Sequence, residues 1–215
     1  MSVNSHLAHA AAPRKTPMQQ RSQRTVATIV DAAARIFAER GYTGTTTNHV
    51  AEAAGVSIGS LYQYYPNKDS LLVALEERHL VHVQQSLAQI AQEWRDQQPD
   101  PGEWARSLVD VLIGANDSPV HVLIYDNAPP LPRINELTGG VVDALVKETR
   151  SQLRRWGHRE GTEMRARILV IATLRLVHDV AIRAPRGRTR TRARNEITRM
   201  VEAVIAGDSP PEHRH

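Results

Sequence analysis

Apolar residues recur every three or four positions along most of this chain, and prolines and glycines cut the pattern into helix-length runs. Val26, Ile29, Val30, Ala33, Ile36 and Phe37 share one face of a helix predicted from about Arg21 to Arg40, which Gly41 ends. Val50, Ala51 and Ala54 mark a short second helix. Gly55 closes it, because glycine takes the left-handed conformation at no steric cost. Ser57 is placed to cap a third helix, in which Leu61 and Tyr65, four apart, share the inner face. Pro66 breaks the chain, and Asn67 caps a long fourth helix with Asp69 in its first turn, where a negative charge suits the helix dipole. Leu71, Leu72, Leu75, Leu80, Val83, Leu87, Ile90 and Trp94 carry that helix to about Asp96. Further helices are expected at about 103–116, 119–127, 133–156, 162–184 and 191–206. The punctuation between them is Asp117-Ser118-Pro119, Ala128-Pro129-Pro130, Gly157 to Gly161 and Pro185-Arg186-Gly187. Strand signals and internal repeats are absent. The expected fold class is all-α, with about nine helices.

Residues 45–68, TTTNHVAEAAGVSIGSLYQYYPNK, carry the chemistry. Two short helices around a glycine turn, with small Ala51 at their crossing, are the sequence form of a helix-turn-helix, whose second helix lies in the DNA major groove. The outward positions of that helix are Ile58, Gly59, Ser60, Tyr62, Gln63 and Tyr64. They supply donors, acceptors and small groups in place of the Glu and Lys of an ordinary solvated face. The bland alternative is a helical hairpin within a bundle. It would need the small alanine, turn glycine, capping serine and uncharged polar face to coincide for no functional reason.

Charge sharpens this reading. The net charge is +4, and residues 1–68 hold seven Lys or Arg against three Asp or Glu, so the whole excess falls on the helix-turn-helix part. A phosphate-facing module on a neutral body has that distribution. The chain has no cysteine, which removes disulfides, Cys-zinc sites and thiol nucleophiles and suits a reducing, cytoplasmic location. No apolar run has signal-peptide or membrane-span length, so no membrane partner is expected. Gly-rich phosphate loops, G-x-S-x-G and H-E-x-x-H are all missing, and the expectation is a non-enzyme without a cofactor. His79 and His82 have a spacing that can bind metal, but no third ligand is identifiable, so no metal site is assigned.

The stretch ERGYTGTTTNHVAEAAGVSIGSLYQYYPNKDSLL resembles the tetracycline-repressor (TetR/AcrR) family of bacterial transcription regulators. It holds the family's GY-x-x-T-T, AGVS turn, LYxYY and NK-x-x-LL, and the resemblance covers about the first 80 residues. It implies a ligand-binding, dimerising C-terminal part and a ligand-free dimer that represses its promoter. It also implies DNA contacts at Thr46, Thr47 and Asn48, at Ser57, Ile58, Gly59, Ser60, Tyr62, Gln63 and Tyr64, and a phosphate contact at Lys68. Gln and Asn can pair bidentately with adenine, whereas Tyr, Ser and Lys suit phosphate oxygens. Gly59 permits close approach to the groove, and Ile58 can cover a thymine methyl. Many family members have a polar group where Ile58 stands, which removes hydrogen-bond readout at that position. Arg14 and Lys15 suit a minor-groove arm or a solubilising tail.

The domains expected are a disordered tail at 1–20, the helix-turn-helix domain at 21–67, a ligand-binding and dimerisation domain at 68–207, and a tail at 208–215. Ile168 to Ile182 reads as apolar nearly all round and therefore buried on more than one side, and Ile197, Met200, Val201, Val204 and Ile205 form one stripe. By resemblance the last two helices pair with those of a second chain. Arg175 and Asp179 can satisfy each other in that helix, or Arg175 or His178 can meet a ligand. Trp94, Trp104, His121, Tyr125 and Trp156 are the other candidate pocket residues. The six arginines from Arg183 to Arg194 read as a mobile loop, or as a second nucleic-acid patch. The expected function is a homodimeric repressor of a palindromic operator on double-stranded DNA, released by a small, mainly apolar effector. The alternative is a dimeric architectural or global DNA-binding protein without a ligand.

Overall fold

The computed structural model describes residues 20–127 and 129–206, so the expected tails, with Arg14 and Lys15, lie outside the described residues. The described residues form nine α-helices and no strand: α1 Gln20–Gly44, α2 Thr47–Ala54, α3 Ile58–Tyr64, α4 Lys68–Gln97, α5 Pro101–Asn116, α6 Pro119–Asn127, α7 Pro132–Arg155, α8 Thr162–Leu176 and α9 Arg188–Ala206. A π-helical segment, Val177–Ile182, continues α8. The fold class is all-α. No single described helix is long and apolar enough to cross a membrane.

The helix ends follow local chemistry. Gly41, at φ 66° and ψ 177°, breaks α1, and three further residues extend that helix beyond the expected stop. Asn67 accepts from the Ser70 amide at 2.9 Å, the expected cap of α4. A reciprocal capping box between Asp100 and Glu103 starts α5, with Pro101 in the first turn, where its missing N–H costs nothing.

Two compact units share these helices. The first takes the described residues up to Val81 together with Ser118–Thr138, and the second takes His82–Asp117 and the described residues from Gly139 onward. The first unit therefore reaches past residue 67, because the opening leucines of α4 complete its core. Ile29, Ala33 and Phe37 of α1, Val50 of α2, Leu61 of α3, Leu71, Leu72 and Leu75 of α4 and Leu123 of α6 are buried together.

In the second unit Trp104 is fully buried between Trp94 and Trp156, with ring centroids 5.3 and 5.5 Å away. The Trp94 indole N–H donates to Ser107, and that of Trp156 donates to the Pro99 carbonyl. Trp104 is thus a core residue rather than an open pocket wall. One expectation for this unit changes. The Arg183–Arg194 run is not a loop throughout: α9 begins at Arg188, Arg186 and Arg190 both pair with Asp117, and Arg194 pairs with Asp110. Arg190 also donates to the Ile182 and Ala184 carbonyls at 2.7 and 3.2 Å, pinning the α9 start to the end of the π segment. Met164, Ile168, Ile171 and Val180 leave an exposed apolar face on α8 and the π segment within this single chain.

Candidate nucleic-acid interface

The helix-turn-helix is built by small groups that satisfy its own backbone. Thr46 accepts from the His49 amide at 3.3 Å and caps α2. Gly55 sits at φ 64°, ψ 30°, and its N–H meets the Ala51 and Glu52 carbonyls, while the Val56 N–H reaches Ala51 at 3.0 Å. Ser57 then accepts from the Ser60 amide at 3.1 Å and starts α3. Val50, Ala51, Leu61 and Tyr65 are buried, which locks the crossing of α2 and α3.

Fixing those residues inward fixes the rest outward. Thr46, Asn48, Ser57, Ile58, Gly59, Tyr62 and Gln63 are exposed, and Thr47 and Ser60 are half-buried. The Tyr62 hydroxyl and Thr47 Oγ1 lie 3.1 Å apart, so α2 and α3 join on the open side as well. Gly59 presents bare backbone, since a Cβ there would meet nothing nearer than Ser57 Oγ at 3.9 Å. Tyr64 corrects the expected set. It is 7% exposed and belongs to the core, because it follows Leu61 by three residues and so falls on the same helix face.

Lys68 is held rather than loose. Its ammonium donates to the Tyr42 carbonyl at 3.0 Å and lies 4.1 Å from the centre of the Tyr42 ring. The Tyr42 hydroxyl donates to Asp69, and burial together with that carboxylate pushes the phenol up to about 12. Tyr42 thus ties the end of α1 to the start of α4 and aims the lysine. The sequence reading missed this role, because Tyr42 and Asp69 are 27 residues apart and only the tyrosine of the GY pair hinted at it. Arg40 adds a second tie, 3.3 Å from His49 Nε2.

The candidate ligand residues belong to separate neighbourhoods. His121 and Tyr125 are in the first unit, where the His121 ring lies 5.2 Å from His79 and 5.8 Å from Tyr125. Trp94, Trp104, Arg175 and His178 are in the second. There Arg175 pairs with Asp179 at 2.5 Å, as the four-residue spacing predicts, but its side chain is exposed and not buried. His178 is buried in the π segment. Trp94 borders a groove of about 280 Å³ in the second unit, with Leu87, Ala88 and Ala91 of α4 facing Val141, Ala144 and Leu145 of α7. No group of three or more candidate metal ligands occurs among the described residues.

Residues 29–75 match the family described as bacterial regulatory proteins, tetR family. The HTH-type transcriptional repressor KstR2 of Rhodococcus jostii strain RHA1 is 46% identical over 44 residues, 20% of this chain and 22% of that protein. The chain spans less than a third of the length of the first curated relatives it matches. Among solved structures, FadR of Bacillus subtilis in complex with stearoyl-CoA is 18% identical with a TM-score of 0.64, covering 85% of this chain and 99% of that one. AibR in complex with isovaleryl coenzyme A and operator DNA is 22% identical with a TM-score of 0.62, covering 82% and 97%. At these identities the structures speak to the fold alone. The matched segment runs from the core of α1 through α3 to Leu75 and is similar to the tetR family of bacterial regulatory proteins, and the all-α fold continues beyond it in the same form as in these solved structures.

Proposed function

We propose that the chain is a homodimeric, ligand-responsive transcriptional repressor that reads a palindromic operator through α3. The observation that carries this reading is the open face of the helix-turn-helix. Asn48, Ile58, Gly59, Tyr62 and Gln63 are exposed, Thr47 of α2 meets Tyr62 of α3 at 3.1 Å, and Leu61 and Tyr65 hold the helix from behind. Gln63 and Asn48 have the amide geometry for adenine, Gly59 lets the backbone approach, and Lys68 is a fixed cation for a phosphate. One such helix reads few bases, so two-fold repetition supplies the specificity. The face of α8 bearing Met164, Ile168 and Ile171 supports that second copy, because exposed apolar side chains at helical spacing suit a partner surface.

Small-molecule control is supported by the neighbours crystallised with stearoyl-CoA and isovaleryl coenzyme A. A mainly apolar effector, in a cytoplasmic regulator, is the reading carried to this chain. An effector that favours a dimer with a different spacing of its α3 helices lowers operator affinity by the same factor that operator lowers effector affinity. Fluorescence anisotropy with DNA from upstream of the chain's own gene tests the DNA reading. Affinity should fall steeply with salt as counterions are released on binding. An affinity independent of salt, or no preference over random DNA, would reject it, the latter outcome favouring an architectural protein.

A further inference from the structure

The arginines that open α9 divide into two sets by what holds them. Arg190 and Arg194, four apart, turn toward the body of the second unit: Arg190 pairs with Asp117 at 2.7 Å, and Arg194 pairs with Asp110. Arg188 precedes the buried Ile197 by nine residues, about two and a half turns, and so projects from the opposite face. Arg192, Asn195 and Arg199 share that outer face by their helical spacing from Arg188, and all four residues are exposed. Arg199 pairs with Glu196 at 2.7 Å. Among the described residues, the side chains of Arg188 and Arg192 have no ion-pair or hydrogen-bond partner.

Nothing within the chain rewards this outer pair. Like charges one turn apart on a helix repel each other. The first turn of α9 has no acidic residue to offset cations at the positive end of the helix dipole. The surface over the pair is lined only by residues between Gly187 and Arg199, so it has no second wall to enclose a small molecule. It is long instead. From Arg188 to Arg199 the helix rises about 16 Å, a length over which one strand of duplex DNA carries about five phosphates. The inner set fixes where this face starts. Arg186 and Arg190 hold Asp117, and the next residue, Ser118, takes the chain into α6 of the first unit. The basic end of α9 is thus tied to a chain crossing into the unit that carries α3.

We propose that the outer face of α9, through Arg188 and Arg192, is a second DNA contact, one that grips the phosphate backbone without reading sequence. The chemistry is complementary. A guanidinium meets phosphate oxygens with two parallel hydrogen bonds, and an exposed arginine with no partner in the chain is free to make them. Such contacts add affinity and hold register but choose no base. A regular row of phosphates satisfies both arginines at once, which a single carboxylate does not. The inference rests on the reading of this chain as DNA-binding and gives the duplex a second surface, outside the helix-turn-helix.

The test is a salt titration of DNA binding by the full chain, followed by fluorescence anisotropy on operator and on random duplex. The double variant Arg188→Gln, Arg192→Gln should bind both duplexes more weakly by one factor, about tenfold at low salt, with a salt slope shallower by about 2 for each chain bound. Its preference for operator over random DNA should stay at the wild-type ratio. Arg188→Lys with Arg192→Lys keeps the charges and should recover most of the loss. Arg154→Gln with Arg159→Gln removes two exposed arginines at the end of α7 and should keep the wild-type slope. Without DNA, the double glutamine variant should melt no lower than wild type, because the pair it removes has no partner in the chain. An unchanged slope, an equal loss in the α7 variant, a loss confined to operator, or a lower melting point would each overturn the contact. A wild-type protein that bound random DNA as tightly as operator would reject sequence reading by α3, and the slope difference on random DNA would still decide the α9 face.

Discussion

Replacing Glu76 by glutamine should stabilise the protein at alkaline pH and leave it nearly unchanged at mildly acidic pH. The substitution keeps the shape and removes the charge. In the folded chain the carboxyl is buried and raised from its ordinary 4.5 to about 7, chiefly by desolvation and in spite of a hydrogen bond from Thr138 that favours the ionised form. Below pH 4.5 the group is protonated in both folded and unfolded states, so glutamine and the neutral acid are near equivalents. Between 4.5 and 7 the unfolded chain ionises while the folded one keeps its proton, so unfolding releases a proton and wild-type stability falls as pH rises. Above 7 both states are ionised and the loss is complete. At about 1.4 kcal/mol per pH unit, the displacement is worth roughly 3 kcal/mol. For a chain of this size that is a midpoint difference on the order of 6–12 °C. Thermal melts of both proteins at pH 4.5 and pH 8, at one protein concentration because any self-association would add stability by mass action, read it directly. The difference between the two proteins cancels every other titrating group. A gap that is the same at both pH values, or a less stable variant at pH 8, would refute the buried, ionisable Glu76.

The DNA-reading residues give separable outcomes. Gln63→Ala or Asn48→Ala should relax base preference at one position per half-site by about 1–3 kcal/mol, measured by anisotropy on single-substitution operators. Lys68→Ala should weaken binding to all sequences alike and reduce the salt slope by about 1; a change in sequence preference instead would show that its phosphate role is wrong. Gly59→Ala has room in the folded chain and should raise helix stability by roughly 0.5–1 kcal/mol. It should nevertheless lower operator affinity, because the added methyl meets the groove floor, and unchanged affinity would place α3 farther from DNA. Ile168→Asp puts a charge on the exposed apolar face of α8 and should yield a monomer at micromolar concentration by sedimentation, with a circular dichroism spectrum like wild type.

The helix-turn-helix was readable because its punctuation is local. Gly55, Ser57 and Asn67 each act within four residues of the bonds they make, and the inward set Val50, Ala51, Leu61 and Tyr65 follows from helical period alone. Tyr64 was misplaced because on a seven-residue helix the boundary between faces depends on how α3 is rolled against the core, which spacing does not state. The roles of Tyr42 and of the arginine run depend on partners far along the chain. Asp69 is 27 residues from Tyr42, and Asp110 and Asp117 are 84 and 73 residues from Arg194 and Arg190. Sequence gave their charges and not their pairing. Glu76 was invisible for a related reason. In the run Glu76-Glu77-Arg78 it reads as one more solvated charge, and only the packing around α4 buries it. The ligand residues scatter between two units because aromatic and histidine side chains are recognisable by type, whereas their convergence is a property of the folded chain.

The central claim is that two copies of α3 read DNA with two-fold symmetry. Selection of tight binders from a random-sequence DNA library by the purified full-length protein, followed by sequencing, tests it most directly. The account predicts an enriched inverted repeat whose half-sites are centred about 10–10.5 base pairs apart or a multiple of that spacing, with enrichment lost in Gln63→Ala at defined positions in both halves. A lone half-site, or a pool that stays random through successive rounds, would contradict it.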